Sequence, residues 1–119
     1  MATIHREPNA TVLELGPSYA SLDLKALTEL GEVLLSEATY ADPPYLVLDL
    51  SQTSFVGSAF IELLVRAWKR ISHRGGTMAV CGAQPFCVEV LKAAHLDSLW
   101  PSFPTRQGAL NAAETHGGT

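Results

Sequence analysis

The sequence lacks the residue patterns that metal and disulfide sites require. Its two cysteines, Cys81 and Cys87, form no CxxC pair, and its four histidines are scattered along the chain. Tetrahedral zinc needs four convergent ligands, usually in close sequence pairs, so we expect neither a metal nor another cofactor. Both cysteines are predicted to be reduced, small apolar residues within or near the core.

Long apolar runs and an excess of positive charge are also missing. No run of about 18 apolar residues occurs, and residues 1–8 lack the hydrophobic segment of a signal peptide, so no membrane contact and a cytoplasmic location are expected. The chain has 8 Lys and Arg against 12 Asp and Glu, a net charge of −4. Nucleic-acid-binding domains usually carry a basic face, so direct binding of nucleic acid is not expected.

The length and composition suit one globular domain. The 119 residues are 47% apolar, enough to bury a core without disulfides. Neither an internal repeat nor a linker divides the chain. We therefore predict a single domain over 1–119, with its core at about 10–113 and a frayed tail at 114–119.

Strand-like and helix-like segments alternate along the chain. Strands are predicted at 11–15, 45–50 and 77–82, with a short edge strand at Ser98–Trp100. Helices are predicted from Ser21 or Asp23 to about 41, from 58 to about 72, from Pro85 to about 94, and from Thr105 to about 113. This alternation indicates an α/β domain with a mostly parallel sheet.

The turn before the second helix carries the most functional information. Ser58 follows a buried strand and a polar turn, at a position where its hydroxyl can cap the helix. The same place tolerates a phosphate, because helix N-terminal amides and the helix dipole favour negative charge. From the residues alone, Ser58 is either a simple cap or an acceptor of phosphate.

Several motifs resemble the STAS domain of bacterial anti-sigma-factor antagonists, in order and over about residues 10–113. They are Val47–Ser51, Ser54–Ser58, Trp68–Arg70, the glycine pair and strand of Arg74–Gly82, Leu91–Trp100, and Phe103–Leu110. The resemblance implies a four- to five-stranded, mostly parallel sheet with about four helices packed mainly on one face.

The resemblance also implies a regulatory, non-enzymatic function. Such antagonists bind an anti-sigma factor, often a serine kinase; phosphorylation ends the binding and a serine phosphatase restores it. Ser58 aligns with the phosphorylated serine. The expected partner contacts are Ser18, Tyr19, Gly57, Ser58, Ala59, Phe60 and Glu62. The alternative is a STAS module that docks or assembles without phosphorylation.

The chain departs from the family pattern at this turn. Gly57, Ala59 and Phe60 stand where the family usually has an aspartate, a second hydroxyl and a glycine. The loop after the first strand, Gly16–Tyr19, lacks the usual acidic residues. Because both loops should meet at one end of the sheet, we expect less negative charge and more aromatic bulk there.

Three enzymatic or ligand-binding alternatives fit the sequence less well. A serine hydrolase would need G-x-S-x-G around Ser58, which is absent, and a base at His73 or His95. A phosphoacceptor receiver would use Asp49, yet no acidic pair ends the first strand to hold magnesium. Asp49 is therefore predicted to be a hydrogen-bonding residue. Nucleotide binding is not expected either, because a phosphate-binding loop begins a helix whereas Arg74–Thr77 ends one.

A basic cluster lies on the second predicted helix, formed by Arg66, Lys69, Arg70 and Arg74. Glu62 precedes Arg66 by four residues, a spacing that favours an ion pair, and cations suit a helix C-terminus. We therefore expect a solvated face here, although an acidic partner would also fit.

Overall fold

The computed structural model describes residues 2–20 and 22–117, with side chains through residue 114. The elements in chain order are β1 (Thr3–Arg6), β2 (Thr11–Glu14), β3 (Ser18–Tyr19), α1 (Leu24–Tyr40), β4 (Tyr45–Asp49), β5 (Phe55–Val56), α2 (Ser58–His73), β6 (Thr77–Cys81), α3 (Pro85–Ala93), a 3-10 turn (Leu96–Ser98), β7 (Ser102–Phe103) and α4 (Arg106–Gly117).

The main sheet has five strands in the order β1-β2-β4-β6-β7. Only β1 runs antiparallel to its neighbour; the other three pairings are parallel. All five residues of β4 are buried, as a continuous apolar strand between two parallel neighbours should be. The predicted, mostly parallel sheet is confirmed.

Helices cover the two faces of the sheet unequally, because the apolar stripes of α1, α2 and α3 share one core. That core includes Leu30, Leu34, Phe60, Leu64 and Leu91, packed with Leu13, Leu46, Leu48 and Val80 of the strands. α4 lies on the other face, where Ala109 and Ala113 pack with Val12, Val47 and Ala79. The predicted α/β domain with helices mainly on one face is confirmed. No helix among the described residues is long and apolar enough to cross a membrane.

The predicted edge strand at Ser98–Trp100 is wrong. Leu96 and Trp100 are both buried, and the Leu99 N–H donates to the Leu96 carbonyl at 3.0 Å, an i to i+3 hydrogen bond. The segment accordingly forms the 3-10 turn. The edge strand is β7 instead, where the Val80 N–H donates to the Pro101 carbonyl at 3.0 Å.

The chain ends also differ from the expectation. β1 was not predicted, because its residues are mostly exposed; it pairs with β2, and Arg6 donates to Glu37 of α1 at 2.6 Å. Asp23 caps α1 by accepting from the Ala26 N–H at 3.1 Å, and Ser21 lies outside the described residues. α4 continues to Gly117 and residues 118–119 are not described, so the frayed tail at 114–119 stays a prediction.

Candidate functional site

Two loops meet beyond the carboxyl ends of β2 and β4, as the sequence predicts. β3 follows β2 and β5 follows β4, and the two short strands pair in parallel, Ser18 opposite Phe55 and Tyr19 opposite Val56. α2 begins immediately after this small sheet, so the exposed Ser58 is presented at its edge. Parallel strands place their following loops at one end of the sheet, which is where α/β domains commonly place functional groups.

Ser58 is the first residue of α2, and the predicted N-cap position is one residue too late. Gly57 is the N-cap: its backbone is extended (φ −114°, ψ −177°), and its N–H donates to the Tyr19 carbonyl at 2.9 Å. Pairing with β3 thus holds residue 57 in strand geometry and delays the helix. The first-turn residues 58–61 include no acidic side chain.

The loop that leads to Ser58 is held by polar contacts to its neighbours. The Thr53 hydroxyl, fully buried, donates to the Gly16 carbonyl at 2.7 Å. The Ser54 N–H donates to the Pro17 carbonyl at 2.9 Å, and the Cys87 thiol donates to the Thr53 carbonyl at 3.5 Å. These contacts position the start of α2 before any partner binds.

Tyr19 and Phe60 lie inside the domain and stack on each other. Their ring centroids are 5.4 Å apart, and the two residues are 1% and 0% exposed. The Tyr19 hydroxyl accepts from the Gly16 N–H at 2.8 Å, and burial raises the pKa of Tyr19. The aromatic bulk expected at this end of the sheet therefore points inward. Tyr19 and Phe60 both depart from the family pattern, and their side chains pack together beneath the turn that carries Ser58.

The remaining predicted contact residues reach the surface on both sides of α2. Ser18, Ser58 and Glu62 are exposed, while Gly57 and Ala59 are half-buried. A groove of about 540 Å³ runs between α2 and α3, lined by Val56, Gly57, Ser58, Ile61, Glu62, Val90, Ala93 and Ala94. Ala59 lines a different groove, between α1 and α2. We call Ser18, Gly57, Ser58 and the α2–α3 groove the Ser58 surface.

An exposed aromatic pair was missed from the sequence. Phe55 and Phe86 stack with centroids 5.5 Å apart and are 43% and 46% exposed. Val56 and Cys87, the next residue after each, are buried, which turns both phenylalanines outward. That inward and outward pattern is visible in the sequence once the elements are known. Exposed aromatic side chains beside a groove are typical anchors of protein interfaces.

Asp49 is a structural residue, as predicted. Its Oδ1 accepts from the Ser51 N–H at 2.9 Å, and its Oδ2 accepts from Arg106 Nε and Nη2 at 3.0 and 2.8 Å. Burial alone raises the pKa of Asp49, but the hydrogen bonds from Ser51 and Arg106 outweigh it and lower the pKa. The pair fastens α4 to the end of β4.

The geometry offers little support for the alternative chemistries. His73 ends the helix that Ser58 begins, which at 1.5 Å per residue places it about 22 Å away. Among the described residues no group of three or more His, Cys, Asp or Glu could hold a metal ion. Cys81 and Cys87 are free and buried, and burial raises the pKa of Cys81 to about 11.

Comparison with known proteins shows which of them share this architecture. The family model of the STAS domain matches residues 5–109. An anti-sigma-factor antagonist (STAS) domain protein from Planctomyces limnophilus is 35% identical, with 95% of this chain and 97% of that chain covered and a TM-score of 0.80. An anti-sigma factor antagonist from Mycobacterium paratuberculosis is 22% identical (96% and 93% covered, TM-score 0.78). The phosphorylated form of the Bacillus cell fate determinant SpoIIAA is 12% identical (94% and 98% covered, TM-score 0.74). No curated protein sequence matches.

Proposed function

The chain belongs to the STAS domain family, and from this premise we propose that it is an anti-sigma-factor antagonist that binds an anti-sigma factor or serine kinase through the Ser58 surface. The observation that carries the proposal is the exposed Ser58, at the start of a helix whose preceding loop is hydrogen-bonded to its neighbours, beside an apolar groove. The 35% identical relative is named as an antagonist of this kind and is covered almost completely.

Phosphorylation of Ser58 is the proposed off-switch, and a serine phosphatase resets it. A phosphate adds about −1.5 to −2 charges at neutral pH. The first turn of α2 has no acidic side chain and the helix dipole favours the phosphate, which offsets the repulsion from Glu62 four residues further on. A partner packed against the groove would have to bury that charge, so the fold accepts the phosphate and the complex does not. A solved relative, SpoIIAA, is described in a phosphorylated form.

Phosphorylation-independent docking is the second candidate. It is favoured by Gly57 and Ala59, which supply neither the aspartate nor the second hydroxyl that the family usually places beside its phosphorylated serine. The exposed pair Phe55 and Phe86 would then supply the constant anchor of the interface. Intact-mass analysis of protein from its native cell separates the candidates, since only the switch adds the mass of one phosphate.

Calorimetric titration with the purified anti-sigma factors of the native cell tests the switch. Ser58→Glu should weaken binding by roughly 10- to 100-fold, because the complex must bury an unpaired charge. Ser58→Ala should bind like the wild type. Ser36→Glu, which adds the same charge to an exposed site of α1, is the matched control.

Thermal unfolding separates lost binding from lost folding. Ser58→Glu should unfold at the same temperature as the wild type or slightly higher, since a carboxylate at the start of a helix is stabilising by about 0.3–1 kcal/mol. Equal affinities for the Ser58→Glu and Ser58→Ala proteins would refute the switch. Failure of every anti-sigma factor to bind would refute the antagonist function itself.

A further inference from the structure

A patch of positive charge on α2 lies away from Ser58. Arg66, Lys69, Arg70 and His73 are all exposed and line one shallow depression of about 420 Å³. Their spacing of three and four residues places them along one side of the helix. We call these four residues the basic patch.

The other three arginines of the chain all bind groups within the fold. Arg6 pairs with Glu37, Arg106 pairs with Asp49, and Arg74 donates to the Ala38 and Ala41 carbonyls at 3.1 and 2.6 Å. The side chains of the basic patch, in contrast, form few such contacts.

Charge in the basic patch is largely uncompensated. Arg66, Lys69 and His73 form no hydrogen bond or ion pair with any residue that the structure describes, and Arg70 reaches only Thr39 and the Leu35 carbonyl, at 3.2 and 3.5 Å. The expected Glu62–Arg66 ion pair is absent from the same described residues, a correction to the sequence prediction. Arg66, Lys69 and Arg70 thus form a local cluster of positive charge without a carboxylate partner among the described residues, in a chain of net charge −4, and such a cluster favours an anionic ligand.

An apolar groove continues from the basic patch towards the N-terminal ends of α1 and α2. It is lined by Leu24, Leu27, Thr28, Ala59, Glu62, Leu63 and Arg66. Arg66 lines both depressions, so the groove and the basic patch adjoin at this residue. Leu24 is 72% exposed and the neighbouring Leu22 is 95% exposed, although both are large apolar residues.

We infer that the α1–α2 groove and the basic patch together bind an acidic, leucine-containing segment of a partner protein. Its apolar side chains would cover Leu24 and the groove, and its carboxylates would pair with Arg66 and Lys69. The cations follow the groove along α2, so charge complementarity places the carboxylates of the segment towards the C-terminal end of α2 and away from Glu62. This surface adjoins the α2–α3 groove at Glu62 but includes neither Ser58 nor α3, so the inference does not depend on phosphorylation of Ser58.

Fluorescence anisotropy can test the inference with a short, fluorescein-labelled peptide of glutamate and leucine residues. The wild-type protein should bind this peptide and should bind poorly a second peptide with glutamine in place of every glutamate. Lys69→Glu should weaken binding about fivefold or more, since it replaces an attraction by a repulsion. Leu24→Ser should weaken it as well, and raising the salt concentration should do the same for the wild type.

Lys92→Glu is the matched control, since Lys92 is an exposed lysine on α3 and the change in charge is identical. Its affinity for the peptide should equal that of the wild type, and all variants should unfold at the wild-type temperature. Equal binding by the Lys69→Glu and Lys92→Glu proteins would overturn the inference. So would the absence of saturable binding, or stronger binding to phosphatidylglycerol vesicles or duplex DNA than to the peptide.

Discussion

Asp49→Asn removes the negative charge from a carboxylate that is only 5% exposed. The substituted side chain keeps an Oδ1 that can accept from the Ser51 N–H. It loses the charge that holds Arg106 Nε and Nη2 at 3.0 and 2.8 Å. The amide Nδ2 that then faces Arg106 is a donor, and a guanidinium has no acceptor, so both hydrogen bonds from Arg106 are lost.

The surroundings of Arg106 determine how much stability the substitution removes. Removing one partner of a fully buried ion pair costs about 3–5 kcal/mol, because the other charge is left unpaired in the interior. Arg106 is not in that position: its side chain is 33% exposed, and Glu14 lies 3.5 Å from Nη2. Water and Glu14 therefore compensate part of the loss, and we expect the free energy of unfolding to fall by about 2 kcal/mol.

Urea denaturation measures this change as a lower midpoint with an unchanged slope, and thermal unfolding as a midpoint lower by about 8 °C. The loss should depend on pH, because the pKa of Asp49 is lower in the folded chain than in the unfolded one. Such a carboxylate stabilises fully above the ordinary carboxyl pKa of about 3.9, and its contribution disappears as the pH falls through the folded-state value. The difference in the free energy of unfolding between wild type and variant should therefore be constant near neutral pH and should shrink in acid.

Asp97→Asn is the matched control, since it is the same substitution at an exposed site. It should change the free energy of unfolding by less than about 0.5 kcal/mol. A similarly small change for Asp49→Asn, or a difference that persists unchanged in acid, would refute the reasoning.

Two further substitutions test close packing and loop support. Gly76→Ala would place a Cβ against the Pro44 carbonyl oxygen, a backbone atom that cannot move aside, so it should lower the free energy of unfolding by about 2–3 kcal/mol in urea denaturation. Gly75→Ala meets no atom but carries a φ of +76°, and should cost about 1 kcal/mol; equal losses would contradict the packing argument. Thr53→Val leaves the Gly16 carbonyl without its buried hydroxyl donor, for a loss of about 1–2 kcal/mol by the same measurement. A loss under about 0.5 kcal/mol would show that this contact does not hold the loop.

The central elements could be predicted because their signals are local. The apolar run at 45–50 and the helical spacing of Leu27, Leu30 and Leu34 each depend on residues within a few turns of one another. Burial enforces such a pattern wherever the element finally packs. The Ser58 turn could be located for the same reason, since a buried strand, a polar turn and a helix follow in sequence.

Other features depend on residues distant in the sequence. Gly57 is the N-cap of α2 because Tyr19, 38 positions earlier, accepts its N–H and keeps it extended. Tyr19 and Phe60 stack on each other within the core that α1, α2 and α3 share. Helical spacing alone places Phe60 on the inner stripe of α2, but it does not show that Tyr19 is the residue that meets it.

By itself the sequence determined the α/β class, the parallel central strands and the position of the serine between strand and helix. Only the tertiary structure decided which aromatics face inward, which arginines are engaged by the fold, and where the edge strand lies. The physical reason is the separation in sequence of the residues that interact. Periodicity reports which side of an element is buried, whereas pairing and stacking between distant segments decide what meets that side and what remains exposed to a partner.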